Sequence, residues 1–461
     1  MSDIFTLANG TAYYVITHYK CEIYSEVTEM VIHTVESGDT LYNIAKRYGA
    51  DMELIARDNE IEEPYPLTVG QTLVIRSPRS VHKVGDGENI YSLAQRYGVT
   101  VNSLWRKNPH LSGGTALREG EQIVIADEAP KYEGEIAVNA YVYPSVDRKI
   151  LRKTLPYLTY LTIFSYGIED SGELTDMDDE AVIDLAREYG VSPIMSVSNL
   201  TPDGFYSSEL AERVLGDKDI QNTLIGEIVR NVAEKRYGGV SVDFEYIPEE
   251  LSEEYAEFVS RLNEKLGSGG NPVFTALSPR SDADDGGILG AGHDYKALGN
   301  MADALMLQSY GWGHMYSAPS AIAPANKVSE TLDYAIRMAE PKKLFLGMPN
   351  YGYDWRLPYT AGNSRAEGLG SREAQTLAGE KLAAIEYDEV ARSPFFRYYD
   401  KAGEGAAEHE VWFSDARSAQ HTLSMANERG VGGISVWNAM KYFPQLWLLL
   451  DGSWNIKKAF K

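Results

Sequence analysis

The sequence predicts an α/β protein: a (β/α)8 TIM barrel with a small α+β insertion, preceded by two small βααβ modules. Three observations predict it. A stretch within residues 31–126 repeats itself. Residues 135–461 alternate short apolar runs with helical patterns. The fourth of those runs ends in two carboxylates, Asp243 and Glu245, two residues apart.

Composition sets the bounds. A chain of 461 residues with 44% hydrophobic and 11% aromatic content can bury several cores and is too apolar to be disordered. Its formal net charge of −24 argues against nucleic acid or an anionic membrane as partner, and a monomer is expected. The single cysteine, Cys21, leaves no intrachain disulfide. No apolar run reaches the ~20 residues of a membrane span. The N-terminus has no basic flank followed by an apolar core, so no secretory leader is expected. Residues 1–30 stay unassigned: either an added strand or arm, or an extension upstream of a natural start at Met30.

The repeat comes next. Thr34-Val35-Glu36-Ser37-Gly38-Asp39-Thr40-Leu41 aligns with Lys83-Val84-Gly85-Asp86-Gly87-Glu88-Asn89-Ile90, and each copy continues into a helix closed by glycine, Gly49 and Gly98. A second helix and a closing strand follow, at 71–75 and 121–125. Leu41, Ile44, Ala45 and Tyr48 recur at helical spacing and predict a core face. The pattern resembles the LysM module, placing modules at 31–76 and 80–126. That resemblance implies binding of N-acetylglucosamine-containing glycans in a groove made, in copy one, by Gly38, Asp39 and Thr40 with Leu67, Val69 and Gly70. Copy two departs with Gly87-Glu88-Asn89, so its share of binding is less defined. These loops also read as helix caps.

A polar linker, 127–134, carries Pro130 and Gly134. Beyond it, strands are predicted at 136–141, 158–166, 192–198, 239–245, 273–278, 302–310, 343–349 and 433–437, with helices between most of them. Eight strands in ~320 residues fit the barrel, whose site lies at the C-terminal strand ends. The seventh-to-eighth gap is too long for one βα unit and predicts an insertion at about 356–415.

Strand alternation puts Ser241, Asp243 and Glu245 on one face, the two acids about 7 Å apart along the backbone. Buried charges fill a core poorly, but such a pair can hold one acid protonated beside an ionised one. A strand end entering a solvated loop is the plainer alternative. Around the pair, strand ends carry Tyr166, Asn199, Gln308, Tyr310, Trp312, Tyr351 and Trp437, a set that suits stacking on sugar rings.

Residues 135–461 resemble glycoside hydrolase family 18. The family's Asp-x-x-Asp-x-Asp-x-Glu reads here Gly238-Gly239-Val240-Ser241-Val242-Asp243-Phe244-Glu245, with the last two acids kept. Its Met-x-Tyr-Asp reads Gln308-Ser309-Tyr310-Gly311, and its eighth-strand tryptophan matches Trp437. Tandem LysM modules ahead of the barrel look more specifically like spore cortex-lytic N-acetylglucosaminidases. The resemblance implies a substrate-assisted retaining mechanism without metal or cofactor: Glu245 as acid, Asp243 orienting the substrate acetamide, Tyr310 hydrogen-bonding it, Trp437 beneath the sugar. It implies location in the spore cortex or coat, with peptidoglycan or a chitin-like glycan as partner. Two other readings stand beside it: a chitinase or vegetative-wall glycosidase, and a non-catalytic glycan-binding coat protein.

Overall fold

The computed structural model describes residues 30–459 except 65, 112, 128–130, 202, 283–286 and 401–405. The expectations for residues 1–29, Cys21 and Pro130 lie outside them.

Each repeat copy folds as expected from its pattern. In the first, Val31–Thr34 pairs antiparallel with Thr72–Ile75, and two helices, Leu41–Tyr48 and Met52–Asp58, lie between. In the second, Ser80–Lys83 pairs with Gln122–Ala126 around Ile90–Tyr97 and Val101–Lys107. Thr40 and Asn89 cap the first helix of each copy, and Gly49 and Gly98 end it in the left-handed region, where a side chain would be strained. Leu41, Ile44 and Ala45 fill the first small core, with Tyr48 packed on it.

The barrel strands are β1 (Glu135–Val142), β2 (Tyr160–Tyr166), β3 (Ser192–Ser198), β4 (Val240–Asp243), β5 (Val273–Leu277), β6 (Ala304–Leu307), β7 (Leu344–Pro349) and β8 (Gly433–Trp437). Every neighbouring pair is parallel, and β8 closes on β1. The strands are buried on both faces, so they are near-continuous apolar runs. Between β7 and β8 stands a five-stranded antiparallel sheet with one helix, Ser371–Glu380. Its strands are Tyr351–Arg356, Glu367–Gly370, Glu386–Asp388, Ser393–Asp400 and Ala407–Phe413.

The modules are docked on the barrel rather than tethered beside it. The last helix, Pro444–Ser453, is apolar almost all round because it is covered on one side by the barrel and on the other by both modules. Gln445 is enclosed there, its Nε2 donating to the Thr72 carbonyl at 2.6 Å and to Asn59 Oδ1 at 3.0 Å. Asp451 accepts from Arg106 Nε at 2.6 Å and Lys107 Nζ at 3.2 Å. Arg76 holds Asp58 at 2.5 Å and Asp127 at 3.2 Å. Even the linker is bound, with Lys131 and Tyr132 donating backbone bonds to Gly452 and Ser453.

Candidate active site

Local sequence positions the two acids differently. Asp243 is the last residue of β4, buried and facing the barrel mouth. Glu245 stands beyond the strand, so alternation stops short of it. Its placement depends on three flanking clamps. The Asn199 amide bonds both backbone groups of Glu245, accepting from its N–H at 2.9 Å and donating to its carbonyl at 2.8 Å. Buried His293 donates from Nε2 to the Phe244 carbonyl at 2.9 Å and accepts from the Ser278 N–H at Nδ1. Tyr246 then turns the chain away with φ 57°.

Asp243 accepts a 2.8 Å bond from the Tyr206 hydroxyl and a 3.3 Å bond from Gln308 Nε2. Burial lifts Asp243 to about 6 against the pull of these two donors. Burial also pushes the Glu245 carboxyl up to about 8, and the neighbouring Asp243 charge adds to the push. The pair therefore holds its first proton on Glu245 and leaves Asp243 as the anion. Ser241 lies on the same strand, buried. Neutral donors, not an acid at 241, are what brace Asp243.

Both acids open into a cavity of about 580 Å³. Gln308, Tyr310, Tyr351 and Trp437 line it, together with Tyr143, Phe164, Tyr206 and Tyr353. Trp437 forms a floor braced by Tyr141 and Phe164, each ring centroid 5.2 Å away. Tyr310 is half-buried beside both acids, and desolvation pushes its hydroxyl well above the ordinary tyrosine range, so it stays a donor.

Two residues expected at the site lie elsewhere, and a third, Asn199, holds the Glu245 backbone rather than lining the cavity. The β2–β3 register slips between Ile163 and Tyr166, so alternation does not carry Tyr166 to the mouth. Its hydroxyl instead reaches Asp179 at 2.5 Å, in a buried cluster with Lys235 and Tyr237. Trp312 is carried away because the N–H groups of Gly311 and Trp312 both bond the Ile322 carbonyl, folding the loop so that the indole packs on the barrel core. Asn199 touches the backbone of Glu245 and has no open amide edge for a sugar. Tyr206 and Tyr143 escaped sequence reasoning. Tyr206 bridges antiparallel to Leu200 in the loop after β3, where nothing in the pattern points a side chain inward.

In the modules, Asp39 and Thr40 serve as scaffold. Asp39 accepts from His33, the Glu36 N–H and Arg47, and Thr40 caps a helix. Gly38 is exposed. Leu67 and Val69 border a cleft of about 830 Å³ against the insertion helix, and Gly70 is buried against Ile385.

Comparison with known families follows this geometry. The pattern of Glycosyl hydrolases family 18 matches residues 139–441. The chain belongs to glycoside hydrolase family 18. Family 18 is joined here to two LysM domains, matched at 33–76 and 82–126. A cortical fragment-lytic enzyme of Bacillus subtilis (strain 168) is 35% identical over 94% of this chain and 100% of its own length. The crystal structure of the Bacillus cereus spore cortex-lytic enzyme SleL superposes with a TM-score of 0.78 at 33% identity, covering 94% of this chain and 100% of that one. A chitinase from Chromobacterium violaceum shares the family 18 part, with a TM-score of 0.63 at 25% identity over 69% of this chain and 98% of its own.

Proposed function

We propose that this protein is a retaining β-N-acetylglucosaminidase that hydrolyses N-acetylglucosaminyl bonds in spore cortex peptidoglycan during germination, acting as a monomer. End-to-end similarity to a cortical fragment-lytic enzyme, modules included, supports the substrate. One observation carries the chemistry. Among the described residues lining the cavity, Asp243 and Glu245 are the only carboxylates, and both come from the end of β4. Among the described residues, no carboxylate faces them from across the cavity to serve as the enzyme's nucleophile.

The sugar's own 2-acetamido oxygen fills that role. Glu245 gives its proton to the glycosidic oxygen as the bond to C1 breaks, and the acetamide oxygen bonds to C1, forming an oxazolinium ion. Asp243 stabilises the positive charge that develops on the acetamide nitrogen. Tyr310 orients the acetamide oxygen, and Trp437 stacks beneath the ring. Water then attacks C1, returning a proton to Glu245, so two displacements retain the β configuration. Incubating the protein with cortex fragments and identifying the new reducing end by mass spectrometry tests this. N-acetylglucosamine at that end, first appearing as the β-anomer by NMR, is expected; an α-anomer forming first would mean direct attack by water.

A further inference from the structure

The two modules share one scaffold but not one environment. Glu88 in copy two does the work of Asp39 in copy one: it accepts from His82 Nε2 at 2.6 Å, from the Gly85 N–H at 2.8 Å and from Arg96. Asn89 replaces Thr40 as the helix cap, bonding the Tyr91 and Ser92 N–H groups. The departure in sequence therefore leaves the first loop of copy two intact.

The second loops differ. In copy one the loop is docked on the barrel's insertion. The Ile385 N–H donates to the Val69 carbonyl at 2.9 Å, and Arg417 Nη2 donates to the Gly70 carbonyl at 3.3 Å. A Cβ on Gly70 would fall 1.9 Å from the Ile385 oxygen, and one on Gly379 would fall 2.7 Å from Thr68 Oγ1. Both of these backbone carbonyls already hold a donor from the protein. In copy two the corresponding stretch is 117–120. Arg118, Glu119 and Gly120 are exposed, and a Cβ on Gly120 would meet only Lys83 Cε at 3.8 Å. Among the described residues nothing donates to the Glu119 or Gly120 carbonyl. Copy two docks by its other side: Asn102 donates to the Tyr189 carbonyl, Trp105 packs on the Tyr189 ring, and Gly113 lies against its hydroxyl.

We infer that the modules have divided roles: the second binds N-acetylated glycan between its 87–89 and 117–120 loops, while the first is a docking piece whose second loop is held by the insertion. This rests on the glycan binding that the LysM resemblance implies for the modules.

Hydrogen–deuterium exchange of the full chain, with and without a soluble N-acetylglucosamine pentamer, tests the inference. Protection is expected in peptides covering 85–89 and 113–121, and none in 64–72. Protection of 64–72 alone, or of both loops equally, overturns the division of roles while keeping the glycan reading. Protection of neither overturns both. As a second measure, Glu119→Arg should weaken pelleting with insoluble peptidoglycan about fivefold or more, and Val69→Arg less than about twofold. Turnover of soluble fragments should be unchanged in both, which reports that each variant is folded. The reverse order of pelleting defects would also overturn the assignment.

Discussion

Asp243 is fully buried and Asp451 largely so, yet their acid strengths are driven apart. Asp451, where the second module docks, faces the cations of Arg106 and Lys107, which hold it down to about 2 despite burial. Asp243, at the barrel mouth beside Glu245, has as its donors among the described residues the neutral Tyr206 and Gln308, and burial lifts it to about 6. Desolvation acts on both; the charge of the partner decides the outcome. The docking surface uses enclosed charge to hold two folded units together. The active site keeps cations away from its carboxylates, so that a proton remains available on Glu245.

The largest test of this contrast is removal of that proton. Glu245→Gln should lower turnover of a soluble N-acetylglucosaminide by about a thousandfold or more while glycan binding persists. The same change should stabilise the fold at pH 8 but not at pH 4, read as the denaturation midpoint at each pH. A carboxyl whose folded pKa is raised favours folding below its unfolded pKa and loses that advantage as pH rises towards about 8.

Next comes the docking acid. Asp451→Asn leaves Arg106 enclosed without its anion and Lys107 with Asp127 alone, and should cost about 3 kcal/mol in urea unfolding. Turnover on soluble fragments should be unchanged where the protein is folded. The stabilisation from Asp451 should be complete above its unfolded pKa and lost as pH falls through about 2.

A smaller effect is expected at Tyr206. Tyr206→Phe removes the 2.8 Å bond that favours the Asp243 anion, and should reduce kcat about tenfold. Wild-type activity should rise as Asp243 ionises near pH 6 and fall as Glu245 deprotonates near pH 8. In the variant the acid limb should move to higher pH, visible in a kcat/KM profile.

The smallest effect belongs to Tyr166. Tyr166→Phe should leave kcat and KM within about twofold, because the hydroxyl bonds Asp179 outside the cavity, and should cost about 1 kcal/mol of stability. A large loss of activity would mean that the Asp179 cluster couples to the site.

How legible this was depended on the range of the interaction. The repeat and the eight strands could be read because they depend on local periodicity: β3 and β8 span the residues the pattern predicted, Ser192–Ser198 and Gly433–Trp437. The clustering of Asp243, Glu245, Gln308, Tyr310, Tyr351 and Trp437 at one mouth followed from the parallel barrel, which brings all strand ends to one face. Asn199 was picked out by its position at a strand end, but its contact with the Glu245 backbone crosses 46 residues of chain. No local pattern carries that.

By itself, then, the sequence determined the two modules, the barrel and the pair of acids, since hydrophobic spacing and strand alternation are properties of neighbouring residues. Tertiary structure alone decided which aromatics face the cavity, because a register slip at β2 and a folded-back loop at Trp312 redirected two of them. It also decided that Tyr206 braces Asp243 and that the modules are docked. Those outcomes rest on contacts between distant segments, such as Gln445 with Thr72, whose donors and acceptors are chosen only when the packed surfaces meet.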